Sequence, residues 1–103
     1  MKFGTVAKFS AKPGQEQDLL KVFSEIEFNP SPGFLYSSVF RSLEKPTEFW
    51  VSVVYESEEA YRKNASSPDS GQRYQRMIEC LQGAPEWHDG HVIADAMGKP
   101  ENS

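Results

Sequence analysis

Four stretches of the chain show the side-chain alternation that is typical of β-strands, and they cover residues 3–10, 34–43, 49–55 and 91–97. The third stretch is apolar on both faces, which predicts a central strand that is covered on both sides. Only a short polar turn separates the second stretch from the third, and this spacing predicts an antiparallel hairpin.

Two further regions carry apolar residues at helical spacing. Residues 15–27 predict an amphipathic helix that ends near Phe28, because Pro30 has no amide hydrogen and constrains the residue before it. Ser57 predicts the cap of a short helix, and Ser67 predicts the cap of a longer helix soon after it. The apolar stripe of this longer helix consists of Tyr74, Met77, Ile78 and Leu81.

The order of these elements is strand, helix, strand, strand, broken helix, strand. It predicts an α+β, ferredoxin-like βαββαβ fold with a four-stranded antiparallel sheet and its helices on one face. One domain spans 3–97, and we expect the polar residues 98–103 to form a flexible tail. The sheet face away from the helices carries aromatic side chains, so we expect a second copy to cover it in a homodimer.

Charge and length narrow the classes of partner. The chain has 103 residues and a formal net charge of -4, and its 11 basic residues form no continuous stripe, so nucleic acid is not an expected partner. No stretch approaches the roughly 20 apolar residues of a membrane span, and no signal-peptide pattern is present, so we expect a cytoplasmic protein without membrane contact. The single cysteine, Cys80, lies among apolar helix positions and is expected to be structural.

Three short motifs resemble the antibiotic biosynthesis monooxygenase family of dimeric α/β-barrel proteins. They are Lys12-Pro13-Gly14-Gln15 before the first helix, Pro32-Gly33 before the second strand, and Glu56-Ser57-Glu58-Glu59-Ala60-Tyr61 followed by Ser66 or Ser67. The resemblance runs over roughly residues 3–95. It implies a homodimer whose two sheets form a dimeric α/β barrel, with a pocket between sheet and helices in each subunit.

Proteins that this chain resembles differ in their chemistry. Some oxidise phenols, quinols or anthrones with molecular oxygen and no bound cofactor, and others degrade haem or isomerise small sugars. Many active relatives have a histidine or tryptophan about three residues after the aromatic of the Ala-Tyr pair, where this chain has Asn64. Haem-degrading relatives carry a ligating histidine on the following helix, but residues 69–82 contain none, so we expect no haem and no other cofactor.

Tyr61 and Asn64 are the first catalytic candidates, because residues three apart on a helix share a face. Asn64 would hydrogen-bond a substrate oxygen, and Tyr61 would donate to, or accept from, a developing phenolate. The structural alternative is that Tyr61 packs on the sheet and Asn64 ends a short helix.

His88 is the third catalytic candidate. We expect it in a loop, where an imidazole can serve as a general base and where a loop or dimer contact is the alternative role. His88 and His91 in a loop, without a cysteine or a paired carboxylate, are weak evidence for a metal site, and we expect none.

Aromatic and basic residues supply candidate substrate contacts. Trp50, Tyr36 and Tyr55 lie on adjacent predicted strands and are candidate walls for a flat ligand, with core or dimer packing as the alternative. Tyr74 and its neighbour Arg73 lie on the long helix, where an inward arginine would stabilise an oxyanion and a solvated helix face is the alternative.

Together these features favour a cofactor-independent monooxygenase that oxidises a small phenolic or quinol-type aromatic with molecular oxygen. A phenolate or carbanion gives electrons to oxygen directly, so the protein has only to bind the ring, remove a proton and exclude water. Two other classes stay open: a dimeric small-molecule-binding or stress-related domain without catalysis, and an isomerase or lyase that uses a histidine in the same pocket.

Overall fold

The computed structural model describes residues 1–28 and 30–98, with the side chains of residues 1–25 and 30–98. The elements follow the predicted order, and the predicted helical break after the hairpin separates two helices. In chain order they are β1 (Phe3–Ser10), α1 (Glu16–Phe28), β2 (Phe34–Arg41), β3 (Glu48–Tyr55), α2 (Glu58–Ala65), α3 (Pro68–Glu79) and β4 (Glu86–His91). The predicted tail over 98–103 lies, apart from Gly98, outside the described residues.

The four strands form one antiparallel sheet in the order β2-β3-β1-β4. This order is that of a ferredoxin-like fold, and the predicted fold class is confirmed. One face of the sheet packs against the helices and is called the helix-facing side. The other face, called the open face, has no helix packed on it among the described elements.

The core lies between the helix-facing side of the sheet and α1 and α3. Phe9 and Ala7 of β1 and Phe49 of β3 are almost fully buried there, and Leu19 of α1 has no exposed surface. Cys80 follows α3, is buried in the same cluster, and has a thiol whose pKa burial raises. It therefore packs as a core residue, as predicted.

The prediction that the last strand covers residues 91–97 is wrong. The structure has β4 at Glu86–His91, paired antiparallel with β1 along its whole length, and all six residues are exposed. An exposed edge strand needs no apolar face, since its backbone hydrogen bonds hold it to the sheet. After β4 the chain leaves the ladder, and Asp95 accepts hydrogen bonds from Lys2 Nζ at 2.6 Å and from the Tyr36 hydroxyl at 2.7 Å.

A β-bulge in β2 changes the faces that strict alternation predicts. Phe34 and Tyr36 would share a face, but the register shifts between them, so that Phe34 lies opposite Tyr55 and Tyr36 opposite Val54. Phe34 therefore packs its ring on Tyr55, with ring centroids 5.7 Å apart, on the helix-facing side. Tyr36 begins the row of residues on the open face.

Gly33 connects the loop before β2 to helix α2. Its φ is +85°, and a Cβ placed on it would lie 2.6 Å from Ala60 Cβ, too close for two carbon atoms. Its carbonyl oxygen also accepts the Glu56 amide at 2.8 Å. Only glycine satisfies both the backbone conformation and the close approach of α2.

Gly33→Ala should therefore destabilise the fold more than Gly14→Ala. Both glycines have positive φ, but a Cβ on Gly14 would meet no atom within 4 Å. We expect Gly14→Ala to lower the free energy of unfolding by about 1–2 kcal/mol from φ strain, and Gly33→Ala to lose about 1–3 kcal/mol more from overpacking. Urea unfolding of both variants measures the difference, and equal losses would contradict the close packing of α2 on Gly33.

Candidate functional site

A cavity of about 160 Å³ lies between the helix-facing side of the sheet and all three helices. We call it the inner cavity. Its floor comes from β1, β3 and β4, and its roof comes from α1, α2 and α3. It lies beside the core and reaches the edge strand β4 through Trp87.

Six of the 15 described residues that line the inner cavity are aromatic. Trp87 on β4 stands perpendicular to Phe9, with ring centroids 5.4 Å apart, and lies 6.4 Å from Tyr74 of α3. Phe23 of α1 packs on Phe9 at 5.3 Å. Flat rings at these angles give a cavity that suits another aromatic ring.

Helix α2 brings two polar side chains into this aromatic wall. Its N-cap is Ser57, whose hydroxyl accepts the Ala60 amide at 3.1 Å. Tyr61 and Asn64 lie three residues apart on the helix, and both line the inner cavity. The short helix therefore starts at a fixed point and presents both groups on one face.

The Tyr61 hydroxyl donates a hydrogen bond to Asp89 Oδ1 on β4 at 3.1 Å. Burial, followed by the charge and the hydrogen bond of Asp89, raises the pKa of Tyr61 to about 12. Tyr61 is therefore neutral at physiological pH. Since its one hydroxyl proton is directed to Asp89, the lone pairs of the oxygen are available as acceptors.

Asp89 is held in turn by α2. Arg62 Nη1 lies 3.6 Å from Asp89 Oδ2, and Arg62 Nη2 lies 3.3 Å from Glu58 Oε2. The Arg62 guanidinium also covers the Phe3 ring at 5.3 Å. Two neighbouring residues of α2, Tyr61 and Arg62, thus contact the two carboxylate oxygens of Asp89.

Two polar atoms in the inner cavity are buried without a well-formed hydrogen bond to the described residues. Within the described part of the chain, Asn64 Oδ1 is buried and makes no hydrogen bond. Thr5 Oγ1 is also buried and makes no hydrogen bond of good geometry, but its hydroxyl lies near enough to Tyr61 to lower the pKa of that tyrosine slightly against the larger effects of burial and Asp89. A buried polar atom without a partner costs about 1–3 kcal/mol, so such atoms are uncommon in cores. Together with the Tyr61 oxygen, they give the cavity a set of acceptors suited to a ligand hydroxyl.

The predicted site residues divide between the two faces of the sheet. Tyr61, Asn64, Tyr55, Arg73 and Tyr74 all line the inner cavity. The structure therefore brings these five residues together at one cavity, and their chemical roles stay predictions.

The other three predicted residues lie on the open face. Tyr36 and Trp50 have registers that place them there, and Trp50 Nε1 donates to Glu48 at 3.1 Å. His88 lies opposite Val6 within β4, so the loop predicted for it is wrong. The sheet backbone separates His88 from the inner cavity.

Sequence reasoning missed three residues of the cavity and its support: Thr5, Trp87 and Asp89. The sequence held a signal for Trp87 and Asp89, because they flank His88 in a segment rich in polar and aromatic side chains. If this segment is a strand, residues 87 and 89 share the face opposite to that of residue 88. The segment reads poorly as a strand since aspartate and glycine are depleted in strands. Thr5 gave no signal beyond its place on the helix-facing side of β1.

The fold and this cavity define the class of protein as a ferredoxin-like α+β domain with an aromatic pocket between sheet and helices. The model of the antibiotic biosynthesis monooxygenase family matches residues 3–76, more than half of the chain. The chain belongs to the antibiotic biosynthesis monooxygenase family. The predicted family is confirmed.

Solved structures with the same fold extend over nearly the whole chain. A protein from Chloroflexus aurantiacus, described as a candidate antibiotic biosynthesis monooxygenase, is 22% identical with a TM-score of 0.80, over 94% of this chain and 98% of that chain. SnoaB from Streptomyces nogalater, a cofactor-independent oxygenase solved as a mutant, is 17% identical with a TM-score of 0.80, over 91% of this chain and 95% of its own. Rv0793 from Mycobacterium tuberculosis is 15% identical with a TM-score of 0.79, over 94% of this chain and 100% of its own.

Other comparisons and searches gave negative results. No curated protein matches the chain. Over residues 1–28 and 30–98, no helix is long and apolar enough to cross a membrane. The same residues contain no group of three or more histidine, cysteine, aspartate or glutamate side chains placed to hold a metal ion.

Asp89→Asn should lower the pKa of Tyr61. In the native protein the negative charge of Asp89 and its hydrogen bond both raise the pKa of Tyr61. The substitution removes the charge and weakens the hydrogen bond, whereas the contribution of burial is unchanged. Titration of tyrosinate absorbance, with Tyr61→Phe used to assign the signal, measures the shift. Asp69→Asn is the matched control, and an equal shift in that variant would contradict the assignment to Asp89.

Proposed function

We propose that the protein is a monooxygenase that oxidises a hydroxylated aromatic compound in the inner cavity, with molecular oxygen as the oxidant and without a bound cofactor. Family membership supports the monooxygenase-like role, and SnoaB is a cofactor-independent oxygenase of the same fold. The observation that carries the proposal is the aromatic cavity with acceptors from Tyr61, Asn64 and Thr5. These groups match a flat ligand that carries hydroxyl groups.

The substrate hydroxyl donates to the acceptors of the cavity. Tyr61 gives its own proton to Asp89, so its oxygen accepts from the ligand. Among the described residues Asn64 Oδ1 has no hydrogen-bond partner, so it accepts from a ligand hydroxyl group, and the nearby Thr5 hydroxyl exchanges a further hydrogen bond with the ligand. This arrangement selects a phenol or hydroquinone over its methyl ether, because the ether leaves the acceptors unpaired.

Removal of the phenolic proton makes the ring a direct electron donor to oxygen. A proton that leaves the substrate hydroxyl passes to the Tyr61 oxygen while the Tyr61 proton moves to Asp89 Oδ1. The phenolate then reacts with oxygen, one oxygen atom entering the ring as a carbonyl and the other leaving as water with the displaced hydrogens. Arg73 stabilises the negative charge that develops on the ring oxygen, since its side chain lines the same cavity.

The aromatic wall contributes orientation and exclusion of water. Trp87, Tyr74 and Phe9 form an apolar wall against which the ligand ring packs. In this partly dry site the hydrogen bonds to Tyr61 and Asn64 are electrostatically stronger than in water. The proposal assigns no step to His88, Trp50 or Tyr36, which lie on the open face.

Tyr61→Phe and Asn64→Ala should each reduce oxygen uptake with a panel of hydroquinones, naphthols and anthrones. We expect kcat/KM to fall about tenfold or more, because a hydrogen bond to a group that becomes charged contributes about 1.5–3 kcal/mol. Tyr36→Phe removes a hydroxyl from the open face and is the matched control, with uptake expected to stay unchanged. Saturable ligand stabilisation without any uptake would contradict the oxygenase and favour a binding domain.

The open face supports a homodimer as the quaternary structure. Phe40 and Trp50 lie opposite each other on β2 and β3 and form an exposed apolar row. Val6 of β1 is exposed on the same face, two residues before Lys8, which lies opposite Trp50. Phe40 is 63% exposed, an unusual state for so large an apolar side chain beside other apolar residues. A second copy with the same face covers this row by two-fold symmetry.

Phe40→Glu should therefore shift the protein toward monomer. A carboxylate at this position loses its water on association, and its desolvation opposes the dimer even though Lys8 lies on the same face. Sedimentation across a concentration series measures the change. Lys21→Glu introduces the same side chain on α1, in the helix layer, and a loss of association in both variants, or in neither, would contradict an interface on the open face.

A further inference from the structure

A second cavity of about 350 Å³ adjoins the inner cavity on the side of the α2–α3 junction. We call it the outer cavity. It is bordered by the loop before β2, by α2 and by the start of α3, with Pro32, Ala60 and Ser67 among its lining residues. Asn64 and Arg73 line both cavities, so these two side chains form the partition between them.

The size of the inner cavity limits what it holds alone. A closed apolar cavity of about 150 Å³ binds a single benzene ring, and small-molecule sites in proteins usually have about 300–1,000 Å³. The inner cavity, at about 160 Å³, therefore holds about one ring. A larger substrate extends past Asn64 and Arg73 into the outer cavity.

The outer cavity has an excess of positive charge. Lys63 and Arg73 line it, and Asp69 is the one acidic residue among its described lining residues. Its formal charge is therefore +1, in a chain whose formal net charge is -4. A surplus of one positive charge matches a ligand group with one negative charge.

Both cations are available to a ligand. Among the residues that the structure describes, Lys63 and Arg73 form no ion pair, whereas Arg62 pairs with Glu58 and Arg76 with Glu25. Lys63 is exposed and Arg73 is half-buried at the partition. Glu25 lies near enough to Arg73 for the guanidinium charge to lower the pKa of that carboxyl, but the main partner of Glu25 is Arg76. A partly desolvated arginine that is in no direct ion pair can bind a ligand carboxylate through two parallel hydrogen bonds.

We propose that the outer cavity binds a carboxylate of the substrate through Arg73 and Lys63, so that the substrate class is a hydroxylated aromatic carboxylic acid. This inference rests on the proposed function for the position of the ring and adds the recognition of the acid group. The hydroxyl-bearing ring occupies the inner cavity, and its acidic substituent passes Asn64 into the outer cavity. Asp69 weakens this binding, because its carboxylate repels the acid group of the ligand.

The test compares dihydroxynaphthoic acid with dihydroxynaphthalene, which lacks only the carboxylate. Calorimetry under anaerobic conditions measures binding without turnover. We expect the acid to bind about tenfold or more tightly than the neutral compound, and we expect added salt to weaken only the acid. Equal affinity for the two compounds, or no binding of the acid, would overturn the inference.

Substitutions locate the contact. Arg73→Gln and Lys63→Gln should each remove most of the preference for the acid, Arg73→Lys should keep part of it, and Asp69→Asn should increase it. Lys45→Gln, in the turn between β2 and β3, removes one positive charge elsewhere and should leave the preference unchanged. Lys63 is exposed, so Lys63→Gln still provides a test if Arg73→Gln fails to fold. The assignment is overturned if the preference for the acid is unchanged in Lys63→Gln and in every Arg73 variant that folds.

The two proposals fail separately. Oxygen uptake with neither compound, together with a preference for the acid that depends on Arg73, contradicts the oxygenase and supports the carboxylate site. Oxygen uptake with both compounds supports the oxygenase. If, in addition, the KM for the acid equals the KM for the neutral compound, and Arg73→Gln changes neither value, the carboxylate site is overturned.

Discussion

The structure depends on β1 being paired with β3 on one side and with β4 on the other. This double pairing places Thr5, Ala7 and Phe9 at the floor of the inner cavity and fixes which residues of β4 lie beside them. Trp87 lies opposite Ala7, and Asp89 lies opposite Thr5. A shift of one residue in this register would move both side chains to the open face, since side chains alternate along a strand.

Close backbone approach helps to hold that register. A Cβ on Gly4 would lie 1.9 Å from the carbonyl oxygen of Val53, so no other residue fits at this point of β1 without movement of β3. Asp89 and Tyr61 then meet across the sheet–helix boundary at 3.1 Å. The close packing of β1 on β3 fixes β1, and β1 in turn sets the position of Asp89 on β4. The hydrogen bond between Tyr61 and Asp89 therefore depends on this packing.

The two faces of the sheet use aromatic residues for different purposes. On the helix-facing side, Phe9, Trp87 and Tyr74 enclose a cavity with a few buried polar atoms. On the open face, Phe40 and Trp50 are exposed, and Trp50 has charged neighbours: Lys8 Nζ lies 5.6 Å from the centre of its ring, and Glu48 accepts its Nε1 hydrogen. The sheet therefore separates the inner cavity from the exposed aromatic residues of the open face.

The sequence by itself determined the order of elements, the hairpin, the break between α2 and α3, and the pairing of Tyr61 with Asn64 on one helix face. These features are local: they depend on apolar periodicity, on the caps at Ser57 and Ser67, and on proline. The tertiary structure alone decided the position of β4 and the role of Asp89, because an exposed edge strand is specified by backbone pairing with β1 and carries no apolar pattern. It also decided that His88, Trp50 and Tyr36 lie away from the inner cavity, since the face that a strand residue occupies depends on register and on the bulge in β2.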